Sequence, residues 1–395
     1  MVEKNDVSLE TQDSVDVKRN VPSLRFPKFK EKWKTLILDD VIKEFVNGQT
    51  PSRNHDEYWK GNIPWLSSGE LNYGFINDSI EKITEKGQKS TNLRILPRNT
   101  FLIAIFGLEA TGTRGSCGIL NIPSTISQAC MALIPYEEKL KMNFLYYWYN
   151  KVGDLYGVKY TQGTKQQNFN IELLKKLSIT LPSNLEEQEK IANFLSLIDK
   201  KIELLEKTLV LYEKIEKHYI KKIYNNISDG EKISLKNIFN VDSSNLSINS
   251  LEENNGKYKL YGAEGVIKTI DFYEKMEPYI SIIKDGAGVG RLNLCDAYSS
   301  SLGTLQNLVP KENLDINFLY FYLKTLNFQK YIVGSTIPHI YFRDYSKEKL
   351  SIPNIEKQKN IGNFFIYFEK RNMLLNNKIG CLTNFKKYLL QNMFI

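Results

Sequence analysis

Apolar residues recur at alternating steps of three and four along one stretch of the chain: Ile191, Phe194, Ile198, Ile202, Leu205, Leu209, Tyr212, Ile215, Tyr219 and Ile223, with Glu and Lys filling the positions between. That spacing predicts a helix with a long apolar seam over about 185–228. Adding 170 to each number lands on Ile361, Phe364, Phe368, Asn372, Leu375, Ile379, Leu382, Phe385, Leu389 and Met393, so the seam recurs at the C-terminus with one polar exception. A run of about forty residues is a rod on the order of 60 Å long, more than one globular domain buries. Such a rod needs a partner along its length, and its own duplicate is the nearest. Two antiparallel helices packed as a coiled coil would tolerate Asn372, since one polar residue in a seam costs stability but fixes register. Either helix alone reads most simply as a generic dimerisation arm; the duplication argues against that because it extends beyond the helices.

The rest of the chain alternates short apolar runs with turn-forming residues. After a polar, acidic leader at 1–20, VPSLRFPKFKEKWKTLILDDVI is an arm running into a short helix or strand near 36–45. The Gly, Asn, Ser and Pro density of NGQTPSRNHDEYWKGNIPWLSSGELN demands loops, with Trp59 and Trp65 as aromatic surface. TFLIAIFG reads as a buried strand, followed by the glycine-rich GLEATGTRGSCG and two further strands, ILNIP and MALIP. NFLYYWYNKVGDLYG reads as an aromatic helix, YTQGTKQQN as a loop, IELLKKL as a short helix and SITLP as the strand leading into the long helix.

The same order returns in YISIIKDGAGVGRLNL and INFLYFYLKTL, and 163–182 lies over 334–353 without a gap. Within that frame Lys165, Gln166 and Gln167 face Thr336, Ile337 and Pro338; a divergent loop on a repeated frame is where binding specificity belongs. The expected fold is α+β: two globular domains in tandem repeat, joined by two long antiparallel coiled-coil helices. The expected boundaries are 1–20 for a disordered leader, 21–184 and 229–354 for the domains, and 185–228 and 355–395 for the helices.

Composition narrows the function. At 395 residues and 42% apolar content the chain exceeds one core. No apolar run approaches the roughly 18 residues of a membrane span, and the leader has no apolar core of a signal peptide, so a cytoplasmic protein without a membrane partner is expected. Cys117, Cys130, Cys295 and Cys381 form no CxxC pair and no histidine is spaced with them, which argues against a disulfide framework or structural zinc. Net charge is +8, yet the eight acidic and eight basic residues of 185–228 cancel. The excess therefore lies in the globular parts and the C-terminal helix, as suits an anionic partner.

Reading DNA sequence needs Arg or Lys for guanine and Asn or Gln for adenine, beside groups that grip phosphate. Gln162, Thr164, Lys165, Gln166, Gln167 and Asn168 gather such types on one loop, and Ser335, Thr336, His339, Tyr341 and Arg343 occupy the repeated segment. The plainer alternative is a solvated loop with Asn168 or Asn170 capping the next helix. The glycine loops do not suit nucleotides. Thr113 and Arg114 follow Gly112 where a phosphate-binding loop needs Lys then Ser or Thr, and RLNLCDAYSS after Gly290 reads as a strand rather than a helix. They fit tight strand-to-strand turns, or DNA-facing loops in which Arg114, Lys284 and Arg291 meet phosphate.

Catalytic patterns are absent: no Asn-Pro-Pro or Asp-Pro-Pro ending in an aromatic, no HExxH and no GxSxG. His55, His218 and His339 are scattered, and Asp39 with Asp40 reads as a helix cap. The aromatic clusters Phe144, Tyr146, Tyr147, Trp148, Tyr149 and Phe318, Tyr320, Phe321, Tyr322 read as core.

RFPKF with Trp33, GTKQQNF, LPSNLEEQEKIANFLSLIDKKI and IPNIEKQKNIGNFF together resemble the specificity subunit of type I restriction-modification systems, over essentially the whole chain after the leader. The resemblance implies a non-catalytic reader of double-stranded DNA with two target recognition domains, each reading one half of a split site, and helices that act as spacer and docking element. It also implies two methylation subunits that bind S-adenosylmethionine, and restriction subunits, acting as motor and nuclease, that use ATP and Mg; none of these cofactors is expected on this chain. GSTIPHIYFRD in the second half departs from the polar GTKQQNF. A stand-alone DNA-binding regulator and a methyltransferase with an unrecognised site are the other classes the sequence admits.

Overall fold

The computed structural model describes residues 21–107, 113–160, 169, 171–251 and 254–395. It divides into two compact units, Met1–Glu203 with Gly380–Ile395, and Leu204–Ile379. The long helices, Leu185–Asn225 and Ile355–Met393, each contribute a part to both units.

In the first unit, Ile42–Asn47, Cys130–Pro135, Phe101–Ala104 and Cys117–Leu120 are antiparallel neighbours in that order, and Gly74–Ile76 adds a parallel edge. The central strand FLIA is buried throughout, which is why it is a continuous apolar run and not an alternating one. A smaller sheet places Trp59–Leu66 between Glu81–Ile83, antiparallel, and Thr125–Ile126, parallel. Lys34–Ile37 and Ser178–Leu181 form an antiparallel ribbon just before the first long helix. The entry segment expected as one helix or strand near 36–45 is a strand, a four-residue helix at Leu38–Val41 and a second strand. Asp40 caps that short helix by accepting the Ile37 N–H at 3.2 Å.

The second unit repeats all three layers. Its ribbon pairs Glu231–Ser234 with Lys349–Ile352. Its larger sheet runs Phe239–Asp242, Leu305–Pro310, Tyr279–Ile283, Leu292–Cys295. In its smaller sheet Tyr258–Gly262 again lies between an antiparallel neighbour, Gly265–Ile270, and a parallel one, Ser300–Ser301. The architecture is mixed α+β, with the repeat carried down to strand order and direction.

The aromatic helices, Met142–Tyr160 and Ile316–Leu323, pack into the two cores, with Phe144, Trp148, Tyr149, Phe318 and Phe321 fully buried. One glutamine at the start of each long helix ties that helix to the segment before the aromatic one. Gln188 accepts the Lys141 N–H at 2.8 Å and donates to the carbonyls of Lys139 at 3.0 Å and Pro182 at 2.9 Å. Gln358, 170 positions on, accepts the Asp315 N–H at 3.0 Å and donates to the Pro353 carbonyl at 2.8 Å. The RFPKF arm is anchored beside the first of these. Arg25 makes a two-pronged pair with the buried Glu187 at 2.7 and 2.8 Å, and the Trp33 indole donates to the same carboxylate at 3.2 Å.

Two readings of the pattern change. Trp65 is core, not surface: it is buried against Ile83 and Leu93 and donates to the Gln49 carbonyl at 2.9 Å. The helical seam also moves. In the second unit Tyr212 meets Phe368 and Tyr219 meets Phe364, each at 6.2 Å between ring centres, so the helices are antiparallel there. Yet Tyr219 and Phe364 remain about two-fifths exposed, whereas Ile220, Tyr224 and Phe365, one residue on from the seam, are buried. The reason is that Tyr224 and Phe365 pack on Phe318 and Phe321 of the aromatic helix, so each long helix serves a second face that the 3.6-residue period alone does not weigh.

Candidate nucleic-acid interface

In the second unit the strand Tyr279–Ile283 runs into the glycine turn Lys284–Arg291, where Gly286, Gly288 and Gly290 all have φ near +86 to +87. Only glycine holds that conformation cheaply. At Gly288 the Arg291 guanidinium folds back over the turn, its Nε donating to the Gly288 carbonyl at 3.4 Å. The chain leaves this turn as the strand Leu292–Cys295 and not as a helix whose N-terminus could hold a phosphate, so this turn is not of the dinucleotide-binding type.

Against this turn lies the divergent segment of the repeat. Gly286 donates to the Pro338 carbonyl at 3.0 Å, Ile340 donates to the Lys284 carbonyl at 2.9 Å, and His339 exchanges backbone bonds with Val333 at 2.8 and 2.9 Å. His339, Tyr341 and Arg343 alternate along the chain and stack in sequence. The His339 and Tyr341 rings are within 15° of parallel at 6.4 Å, and the Arg343 guanidinium lies 5.0 Å from the Tyr341 ring centre. Ser335 and Thr336 are exposed on the same segment. Of the predicted residues, Lys284, Arg291, Ser335, Thr336, His339, Tyr341 and Arg343 are thus brought to two adjoining segments. Sequence reasoning missed Asp285, whose Oδ1 is 2.6 Å from Nδ1 of His339. The two are 54 positions apart and no local pattern links them.

In the first unit Gln162, Thr164, Lys165, Gln166, Gln167 and Asn168 lie outside the described residues, as does Asn170. Their frame does not. Phe169, buried, donates its N–H to the Ile105 carbonyl at 2.8 Å, the counterpart of Ile340 on Lys284. Ile105 in turn donates to Ala129 at 2.9 Å as Lys284 does to Thr304 at 3.0 Å, which fixes the equivalence of the two strand ends. Arg114 is half-buried in the glycine-rich loop, its carbonyl accepting from the Tyr73 hydroxyl at 3.1 Å, and the structural counterpart of Arg291 is Ser116. The two loops therefore share a frame and differ in their cations.

Among the described residues no group of three or more His, Cys, Asp or Glu could hold a metal. Burial pushes the Cys130 and Cys295 thiols up to about 12, and that of Cys117 up as well, away from thiolate reactivity. No helix among the described residues is long and apolar enough to cross a membrane.

Comparison with known proteins accounts for the repeat. Residues 30–215 and 227–383 both match the type I restriction modification DNA specificity domain. The chain is 33% identical over 192 residues to the type I restriction enzyme MjaIX specificity subunit of Methanocaldococcus jannaschii, a match spanning 48% of this chain and 43% of that subunit, less than half its length. With the MjaVIII specificity subunit of the same organism it shares 24% identity, over 86% of each chain. In fold it is similar to the crystal structure of the type I restriction-modification S subunit from M. genitalium, with a TM-score of 0.70 at 19% identity, covering 95% of this chain and 99% of that one. With two copies of the specificity domain spanning most of its length, the chain belongs to the family of type I restriction-modification specificity subunits.

Proposed function

We propose that this chain is the non-catalytic reader of a type I complex, each specificity domain contacting one half of a split double-stranded DNA site. The observation that supports this is the shared frame: Phe169 donates to Ile105 as Ile340 donates to Lys284, equivalent bonds in two domains of the same strand order, while the sequence before Phe169 differs from that before Ile340. In the second domain His339, Tyr341 and Arg343 supply base or phosphate contacts, with Lys284 and Arg291 gripping phosphate; in the first, Lys165, Gln166 and Gln167 are the base-reading types and Arg114 a phosphate contact. The length of the two long helices sets the gap between half-sites. Two methylation subunits bring S-adenosylmethionine, and restriction subunits bring ATP and Mg, to cytoplasmic DNA at the site this chain selects.

The test is purification of the chain from its host with identification of co-purifying proteins, together with a genome map of methylated adenine with and without the gene. A co-purifying methylation subunit and one split motif that loses methylation on deletion are the expected results. A chain that purifies alone, binds DNA unaided and changes no methylation would make it a stand-alone regulator.

A further inference from the structure

The sequence singles out His339 but not what holds it. Its backbone is tied on both sides, to Val333 and, through Ile340 and Gly286, to the glycine turn. Its ring is then fixed by Asp285, whose Oδ1 lies 2.6 Å from Nδ1. An ionised carboxylate only accepts hydrogen bonds, so Nδ1 carries the hydrogen and Nε2 is the ring nitrogen that Asp285 does not engage. Both side chains are about one-third exposed, so the pair is at the surface and not a closed core contact. Beyond His339 the stack continues through Tyr341, itself 45% exposed, to Arg343. Between the domains the frame is constant and this pair is not, since the positions equivalent to Asp285 and His339 carry Phe106 and Asn168.

We infer that Asp285 is a specificity-determining positioning residue: by holding His339 at Nδ1 it presents Nε2 to one base edge of the half-site read by the second domain. With Nδ1 protonated, a neutral ring offers Nε2 as an acceptor, which suits the exocyclic amino group of adenine or cytosine in the major groove. A free ring could offer either tautomer and would discriminate less.

This inference rests on the proposed DNA reading, and one experiment separates the two. The full-length gene carrying Asp285→Ala, Asp285→Asn or His339→Ala replaces the native copy in the host, and methylation occupancy is mapped at every single-base variant of the split motif. Asp285→Ala and His339→Ala are expected to lower preference by about tenfold at the same single position of one half-site, leaving the other half-site unchanged. Asp285→Asn, which keeps an acceptor for Nδ1, is expected to restore most of the preference. A merely structural role for Asp285 would weaken every position of that half-site alike, and that result overturns the inference, as does unchanged preference in His339→Ala whatever Asp285→Ala does. A wild-type gene that yields no split motif overturns the proposed function and this inference together.

Discussion

Nδ2 of Asn372 in the second long helix donates to Oε2 of Glu216 in the first at 2.9 Å, while Oδ1 of the same amide is buried without a hydrogen-bond partner among the described residues. The polar exception in the repeated seam thus meets a carboxylate and not another apolar residue. Burial pushes the Glu216 carboxyl above the ordinary range and nearby Glu369 adds to this, against the opposing pull of Lys324 and of the Asn372 hydrogen bond. Lys324 is itself engaged by Glu369 at 2.6 Å. The pair carries an electrostatic cost at neutral pH, as expected of a feature that sets helix register.

That cost has a sign. A carboxyl whose folded-state pKa is raised stabilises the fold below its ordinary value of 4.5 and loses that contribution as pH rises through the raised one. Glu216→Gln keeps an acceptor for Asn372 and buries no charge. The variant is expected to unfold at a higher temperature than the native chain at pH 7, with the difference closing towards pH 4.5. Thermal unfolding of both chains across that interval checks it, and equal curves at pH 7 would count against a buried charge at Glu216.

Gln188 and Gln358 each satisfy backbone groups at a helix start, the bonds to the Pro182 and Pro353 carbonyls buried and the others half-buried. Gln358→Ala strands the Asp315 N–H and the Pro353 carbonyl, and Gln188→Ala strands the Lys141 N–H with two carbonyls. At about 1–3 kcal/mol for each unsatisfied group, both substitutions are expected to destabilise, Gln188→Ala the more. Denaturant titration of each variant measures the loss.

Replacing Lys165, Gln166 and Gln167 by Ala is expected to weaken one half-site only, each lost base contact costing roughly 1 to 3 kcal/mol. Binding to DNA carrying one intact and one scrambled half-site resolves this. An equal loss on random DNA would assign the three residues to phosphate.

Seven residues inserted near Lys207, with seven near Asn377, add two turns to each long helix and keep the seam in phase, since seven residues are close to two turns. The added length is about 10 Å, roughly three base pairs of DNA. The split motif is expected to keep both half-sites and widen its gap by about that number. Methylation mapping reads this directly, and an altered half-site with an unmoved gap would contradict the spacer role.

By itself the sequence determined the two long helices, the tandem repeat, the buried central strands and the aromatic cores, because each is written in local spacing: a 3.6-residue period, a continuous apolar run, a constant offset between copies. Gln188 and Gln358 lie at the same offset of 170, but what each binds emerged only from the fold. Tertiary structure alone decided which side of the helix is buried at Ile220 and Phe365, where a globular partner competes with the helical one. It also turned Trp65 inward and joined Asp285 to His339 across 54 positions. Such pairings depend on how distant segments pack, and a one-dimensional period carries no information about segments that meet only when the chain has folded.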